Sequence, residues 1–219
     1  MTGADMQSES AVAPRTSRAL AIVAVLGGMA LTGALLGVLW AWIAPPINGV
    51  VALTRAGNRV HAYLGYQAEH FFVAAAMLLG LLAVLAVVAP VLAWQWRAHR
   101  GPTMVAALAA GAVAAAGLAA VCGATLVHGR YAGVDVDAAP VTPENRVYYF
   151  TEAPAVFFGH SPWQIVATLL QPAALAALVY ALLAAATPRD DLGGYPTVDQ
   201  AGSAPSATAT AGGAPLAGR

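Results

Sequence analysis

The sequence predicts an all-α integral membrane protein with four transmembrane helices and a small extracytoplasmic cap that could include a short β-hairpin. Only 9% of the 219 residues are charged and 59% are hydrophobic, whereas about a quarter of a soluble domain is charged. The hydrophobic residues gather into four runs of 24 or 25 residues that contain no Asp, Glu, Arg or His. Because about 20 helical residues cross the hydrocarbon of a bilayer, each run is long enough to span it.

The four apolar runs are interpreted as helices of one membrane domain, residues 18–187. Backbone N–H and C=O groups in lipid must bond within the protein, and barrel strands would be about ten residues long with alternating polarity, which these runs lack. The first run exceeds the about 7–15 apolar residues of a signal peptide, so we expect it to remain as an anchor. The predicted helices cover about 19–43, 71–94, 103–127 and 163–186.

The first outer loop, residues 44–70, contains a hairpin-like pattern. Residues 50–54 and 59–64 favour strands, and Gly57-Asn58 between them favours a turn. A lone hairpin is marginally stable in water, so we expect it to rest against another surface.

The second outer loop, residues 128–162, is rich in aromatic residues. We expect the segment 146–150 either to form a third strand or to lie in the membrane interface, where Tyr and Phe are common. Ser161 and Pro162 are the residue types that favour the N-cap and the first position of a helix, and here they precede the fourth apolar run.

The arginines predict the orientation of the helices. Arg97 and Arg100 lie in the short loop between the second and third runs, called here the second loop. They are expected to anchor it at the cytoplasmic surface, because Lys and Arg accumulate on that side. Both termini are therefore predicted to be cytoplasmic, with the protein in the inner (plasma) membrane. The tails, residues 1–17 and 188–219, have low complexity and few large apolar residues, and they are predicted to be disordered.

Small residues recur at helical spacing in the first and third runs. They favour close helix packing in lipid, either in a homodimer or inside a single bundle. The second alternative is preferred, because an alanine-rich chain produces such spacings by chance. The glycines assigned to helix packing are Gly33, Gly37, Gly111 and Gly123.

Two glutamines are the most polar side chains of the fourth run. Gln164 and Gln171 could contact a substrate, but we favour an interhelical hydrogen bond for each, because a buried amide needs a partner in hydrocarbon.

Histidines concentrate on the predicted outer side, where imidazole and carboxylate groups could ligate zinc or copper. The candidate cluster consists of His61, Glu69, His70, His128 and His160. We prefer the alternative that these are interfacial residues with no mutual contact, because their spacing matches no metal signature. No metal site, cofactor or catalytic residue is therefore assigned.

The composition excludes several classes of function. The chain has no Lys, which excludes a phosphate-binding loop ending in Lys, and its zero net charge excludes a polybasic nucleic-acid binder. We predict no enzymatic activity. The expected function is that of a non-catalytic accessory, assembly or scaffold component of a cell-envelope system. Passive solute or lipid transport by an oligomer, or a membrane enzyme using outer His and Glu groups, are the alternatives. The expected partners are the lipid bilayer and a membrane protein or a second copy of the chain.

Three short motifs resemble an uncharacterised actinobacterial family of membrane proteins, the domain of unknown function 2567. They are residues 40–46 at the end of the first run, residues 97–102 in the second loop, and residues 171–174 through Tyr180 in the fourth run. The resemblance covers roughly residues 20–187. It implies the four-helix architecture and carries no biochemical activity to this chain.

Overall fold

Four long helices dominate the computed structural model, which describes residues 17–131, 133 and 135–188. Each helix is long and apolar enough to cross a membrane. Their bounds are α1 Arg18–Ile43, α2 Glu69–Trp94, α3 Pro102–Arg130 and α4 Pro162–Ala185. The two tails predicted to be disordered lie, apart from Ser17 and Pro188, outside the described residues.

A three-stranded antiparallel sheet is built from the two loops at one end of the helices. The predicted hairpin is present as β1 (Ile47–Leu53) and β2 (Arg59–Tyr63), and the aromatic segment forms β3 (Val147–Glu152). The strand order is β2-β1-β3. The described fold is therefore mostly helical with a small sheet, and of the two alternatives considered for the aromatic segment the third strand is the one present. We call this sheet and the loop segments around it the cap.

One face of the sheet is covered by the connection between α3 and β3. Val51 and Phe150 on that face pack against Ala139 and Val141 of the connection. The Arg59 guanidinium donates hydrogen bonds to carbonyl oxygens of the same connection, including those of Val136 and Ala139 at 2.9 Å each. These contacts fix the connection on the sheet.

The helices pack around two apolar clusters, one at each end of the bundle. The cluster beneath the cap includes Trp40, Leu78 and Val127. The other includes Met29, Leu108, Tyr180 and their neighbours near the short connection between α2 and α3. Helix α1 makes its most extensive contacts with α3, which is not its neighbour in sequence.

The start of α4 differs in one respect from the sequence-based expectation. Ser161 is the N-cap and Pro162 follows at the first helical position, as predicted. Gln164 does not bond to another helix, however. Its side chain accepts from the Ser161 N–H at 3.3 Å and completes a capping box. The prediction of an interhelical bond for Gln164 is therefore wrong, because its amide oxygen accepts from the Ser161 N–H at the start of its own helix. Gln171 lies exposed on α4.

Candidate functional site

Three histidines at the cap end of the helices have separate local partners. A ring nitrogen of His70 lies 2.9 Å from the carbonyl oxygen of Pro46, and one of His128 lies 2.7 Å from that of Ala124. The ring of His61 lies on the sheet, with its centroid 4.8 Å from that of Tyr63 and 5.1 Å from that of Phe150.

A cavity of about 450 Å³ lies where the cap meets the ends of α3 and α4. His128, His160 and Glu152 all line this cavity. Glu69 is exposed in the first turn of α2. Within residues 17–131, 133 and 135–188, no three His, Cys, Asp or Glu side chains are placed to hold a metal ion. The structure therefore does not gather the five-residue cluster considered from the sequence into a metal site.

A tyrosine–carboxylate pair links the two edge strands, β2 and β3, across the central strand β1. The Tyr63 hydroxyl donates to a carboxylate oxygen of Glu152 at 3.4 Å. Burial raises the pKa of Tyr63 above its ordinary value, and the negative charge and hydrogen bond of Glu152 raise it further. Sequence reasoning missed this pair. The central strand residue opposite Tyr63 is Gly49, and a Cβ there would overlap the ring of Phe150 on the same face.

The four packing glycines all lie in the contact between α1 and α3. A Cβ at Gly33 would overlap the backbone of Ala115, and one at Gly37 would overlap that of Ala119. A Cβ at Gly111 would lie 2.7 Å from the Met29 sulfur, and one at Gly123 would lie 2.8 Å from the Trp40 ring. We call this contact the α1–α3 seam. In this seam, all four glycines pack against residues of the same chain.

Trp40 joins the seam to α2. Its side chain is fully buried, and its indole N–H donates to the carbonyl oxygen of Ala74 at 2.7 Å. The bond crosses from α1 to α2 at the cap end of the bundle. It therefore fixes the separation of these two helices at that end.

The arginines of the short α2–α3 connection have different environments. The Arg100 Nε donates to the Trp94 carbonyl oxygen at 2.9 Å, and the guanidinium lies 4.4 Å from the centroid of the Trp94 ring. Tyr180 of α4 packs edge-on against the same ring at 5.0 Å, and its hydroxyl accepts from the Gly101 N–H at 3.0 Å. Arg97, in contrast, is exposed. Sequence reasoning treated Arg97 and Arg100 as one pair and missed the contacts of Trp94 and Tyr180.

A second cavity, of about 560 Å³, separates α1 from α2 at the end away from the cap. We call it the α1–α2 fissure. Its α1 wall includes the small residues Ala24, Gly28 and Thr32, and a Cβ at Gly28 would meet nothing within 4 Å. Sequence reasoning missed the fissure, although Ala24, Gly28 and Thr32 recur at the same four-residue spacing as Gly33 and Gly37.

Comparison with known proteins places relatives of this chain in mycobacteria. The family described as protein of unknown function DUF2567 matches residues 29–194. An uncharacterised protein of Mycobacterium tuberculosis is 58% identical over 178 residues, which cover 81% of this chain and 92% of the relative, and one of Mycobacterium bovis has the same values. An uncharacterised protein of Mycobacterium leprae is 58% identical over 177 residues, covering 81% and 89%. No solved structure matches the chain significantly.

Proposed function

Since the chain belongs to the protein family of unknown function DUF2567, whose mycobacterial relatives are uncharacterised, we propose a function from its geometry. The protein is a multi-pass component of the plasma membrane that serves a cell-envelope system as a non-catalytic accessory, assembly or scaffold protein. The cap is its contact surface for another protein. The observation that carries this proposal is the face of the sheet opposite the α3–β3 connection, called here the uncovered face because its apolar side chains are exposed among the residues that the structure describes.

The uncovered face carries apolar side chains from all three strands. The register places Val60, Ala52 and Val147 in one row across the sheet, and Ala62, Val50 and Tyr149 in the next. Tyr149 is 67% exposed, and Val60 and Val147 are also exposed. Exposed apolar patches that include a tyrosine are typical of protein interfaces. Because the opposite face is fixed to the α3–β3 connection, this patch is presented on a rigid support.

The charge distribution supports a cap outside the cell and cytoplasmic termini. Among the described residues, the four arginines of the cap end are spread over two long loops, whereas those of the opposite end lie in the short α2–α3 connection and in the first turn of α1. Arginines in short loops and directly beside helix ends are typical of the cytoplasmic face. The arginines of that end are Arg18, Arg97 and Arg100.

Labelling of single cysteines tests this orientation. With Cys122 replaced by Ser, we expect Ala138→Cys to react with a membrane-impermeant thiol reagent in intact cells. Ala98→Cys should react only after the cells are opened. The reverse pattern would overturn the orientation and the assignment of the cap to the outside.

Co-purification in mild detergent after chemical crosslinking tests the contact surface. Tyr149→Ser should reduce capture of a protein partner by about thirty-fold, because a central interface tyrosine contributes about 2 kcal/mol or more. Tyr66→Ser is the matched control, since Tyr66 is 83% exposed but lies outside the strands. Equal capture by the two variants would refute the sheet face as the contact surface.

A further inference from the structure

The α1–α2 fissure opens only in the half of the bundle away from the cap. At the cap end, the bond from Trp40 to Ala74 connects the two helices. On α1 the fissure extends from Ala24 to Thr32, a length of about 12 Å along the axis. The hydrocarbon of a bilayer is about 30 Å thick, so the fissure corresponds to a single leaflet.

The walls of the fissure require no polar partner. The Thr32 hydroxyl already donates to the carbonyl oxygen of Gly28 at 2.8 Å, and aliphatic side chains such as Leu85, Val88 and Leu92 supply the α2 wall. A partner helix about 10 Å in diameter would need a groove along the whole span, which the Trp40 contact closes. A flexible hydrocarbon chain fits a short apolar space of this kind.

The open end of the fissure is basic and aromatic. Gln95 and Trp96 line it, and Arg97 follows directly in the chain. Arg18 lies on the helical face of α1 that includes Val25 and Thr32, because seven residues make nearly two turns. Arg18 and Arg97 are both exposed, and no Asp or Glu of the described chain lies at this end.

We propose that the α1–α2 fissure binds one acyl chain of an anionic phospholipid, whose phosphate is held by Arg18 and Arg97. Basic residues near anionic lipid attract its headgroup, and Trp is favoured at the same depth. The proposal rests on the membrane insertion proposed above and goes beyond the contact function of the cap. It assigns the lipid to the leaflet on the side of the α2–α3 connection.

Native mass spectrometry of the full chain in mild detergent tests this site, with dioleoyl phosphatidylglycerol and dioleoyl phosphatidylcholine as probes. We expect the wild type to retain phosphatidylglycerol in preference to phosphatidylcholine. Gly28→Leu places a branched side chain in the middle of the α1 wall of the fissure and should abolish this retention. Gly27→Leu is the matched control, because a Cβ at Gly27 also meets nothing within 4 Å but Gly27 does not line the fissure.

A second pair of variants tests the headgroup and keeps the test valid if Gly28→Leu fails to fold. Arg18→Gln combined with Arg97→Gln should weaken phosphatidylglycerol binding by about thirty-fold, since each basic residue contributes roughly five-fold near anionic lipid. Arg55→Gln, on the hairpin of the cap, should leave binding unchanged.

Equal retention of both lipids by all variants would overturn the site and indicate non-specific lipid contact. The membrane proposal itself fails in a different experiment. Release of the wild-type protein from membranes by alkaline carbonate would refute insertion without any lipid measurement.

Discussion

Two faces of α1 carry the same pattern of small residues and have opposite environments. Gly33 and Gly37 lie so close to α3 that a side chain at either position would overlap its backbone. Ala24 and Gly28, also four residues apart, border an open fissure. A four-residue spacing of small side chains therefore permits close approach but does not determine whether another helix occupies the space.

The largest expected effect distinguishes the closed face from the open one. Gly33→Val combined with Gly37→Val should prevent folding, because the clashing atoms belong to the α3 backbone and cannot rotate away. Gly27→Val on the same helix should change the stability by only about a few tenths of a kcal/mol, because its Cβ meets nothing within 4 Å and Val is a slightly better helix former than Gly. Size-exclusion chromatography and thermal unfolding in detergent measure both. A folded, monodisperse Gly33/Gly37 variant would show that the seam is wrongly placed.

The next effect concerns the hydrogen bond that holds α1 to α2 beneath the cap. Trp40→Phe leaves the Ala74 carbonyl oxygen without its indole donor in a buried site, and we expect a loss of about 1–3 kcal/mol in unfolding free energy. Trp42→Phe should have almost no effect, since Trp42 is 73% exposed. Thermal denaturation of the two variants checks this difference. Equal shifts would mean that the Trp40 bond does not stabilise the bundle.

A smaller effect is expected in the connection between α2 and α3, at the end where the fissure opens. Arg100→Gln removes a cation–π contact with Trp94 and should destabilise the protein by about 0.5–2 kcal/mol. Arg97→Gln should leave the midpoint of thermal unfolding unchanged, because its side chain is exposed. If Arg97→Gln proves the more destabilising, the two arginines have been assigned the wrong roles.

The smallest effect concerns Tyr63 on the covered face of the sheet. Like the closed face of α1, this face is packed against another segment of the chain. The folded-state pKa of Tyr63 is raised above the unfolded value near 10. The protonated Tyr63 hydroxyl therefore contributes its full stabilisation of the folded state below that pH. The contribution is lost as the pH rises through the folded-state pKa. Thermal stability of the wild type should therefore decrease more steeply above pH 10 than that of Tyr63→Phe. Parallel curves would contradict the raised pKa of Tyr63.

The sequence could predict those features that depend on neighbouring residues. Hydropathy and length indicated four helices, Gly57-Asn58 indicated the hairpin turn, and Ser161-Pro162 indicated the start of α4. Each signal lies within a few residues of the structure that it predicts. The local physical chemistry was therefore sufficient for these elements.

The small residues marked packing faces on the first and third runs, but the sequence did not indicate that these two faces meet each other, because the helices are apolar around most of their circumference. The α1–α3 seam pairs Gly33 with Ala115, and no amphipathic stripe marks that choice. The histidines show the same limit. Their positions near the helix ends were visible, but His70 and His128 bond to nearby carbonyl oxygens, and such local contacts do not follow from residue spacing.

The α1–α3 seam has a consequence for biosynthesis. After Ile43 leaves the ribosome, 58 residues precede Pro102, the first residue of α3. At about 5–20 residues per second, this interval lasts roughly 3–12 seconds. During that time, Gly33 and Gly37 have no α3 backbone against which to pack, so the most closely fitted surface of the first helix stays without its partner until α3 has been synthesised. The order of assembly therefore differs from the order of synthesis, and α1 acquires its final position only when the third helix arrives.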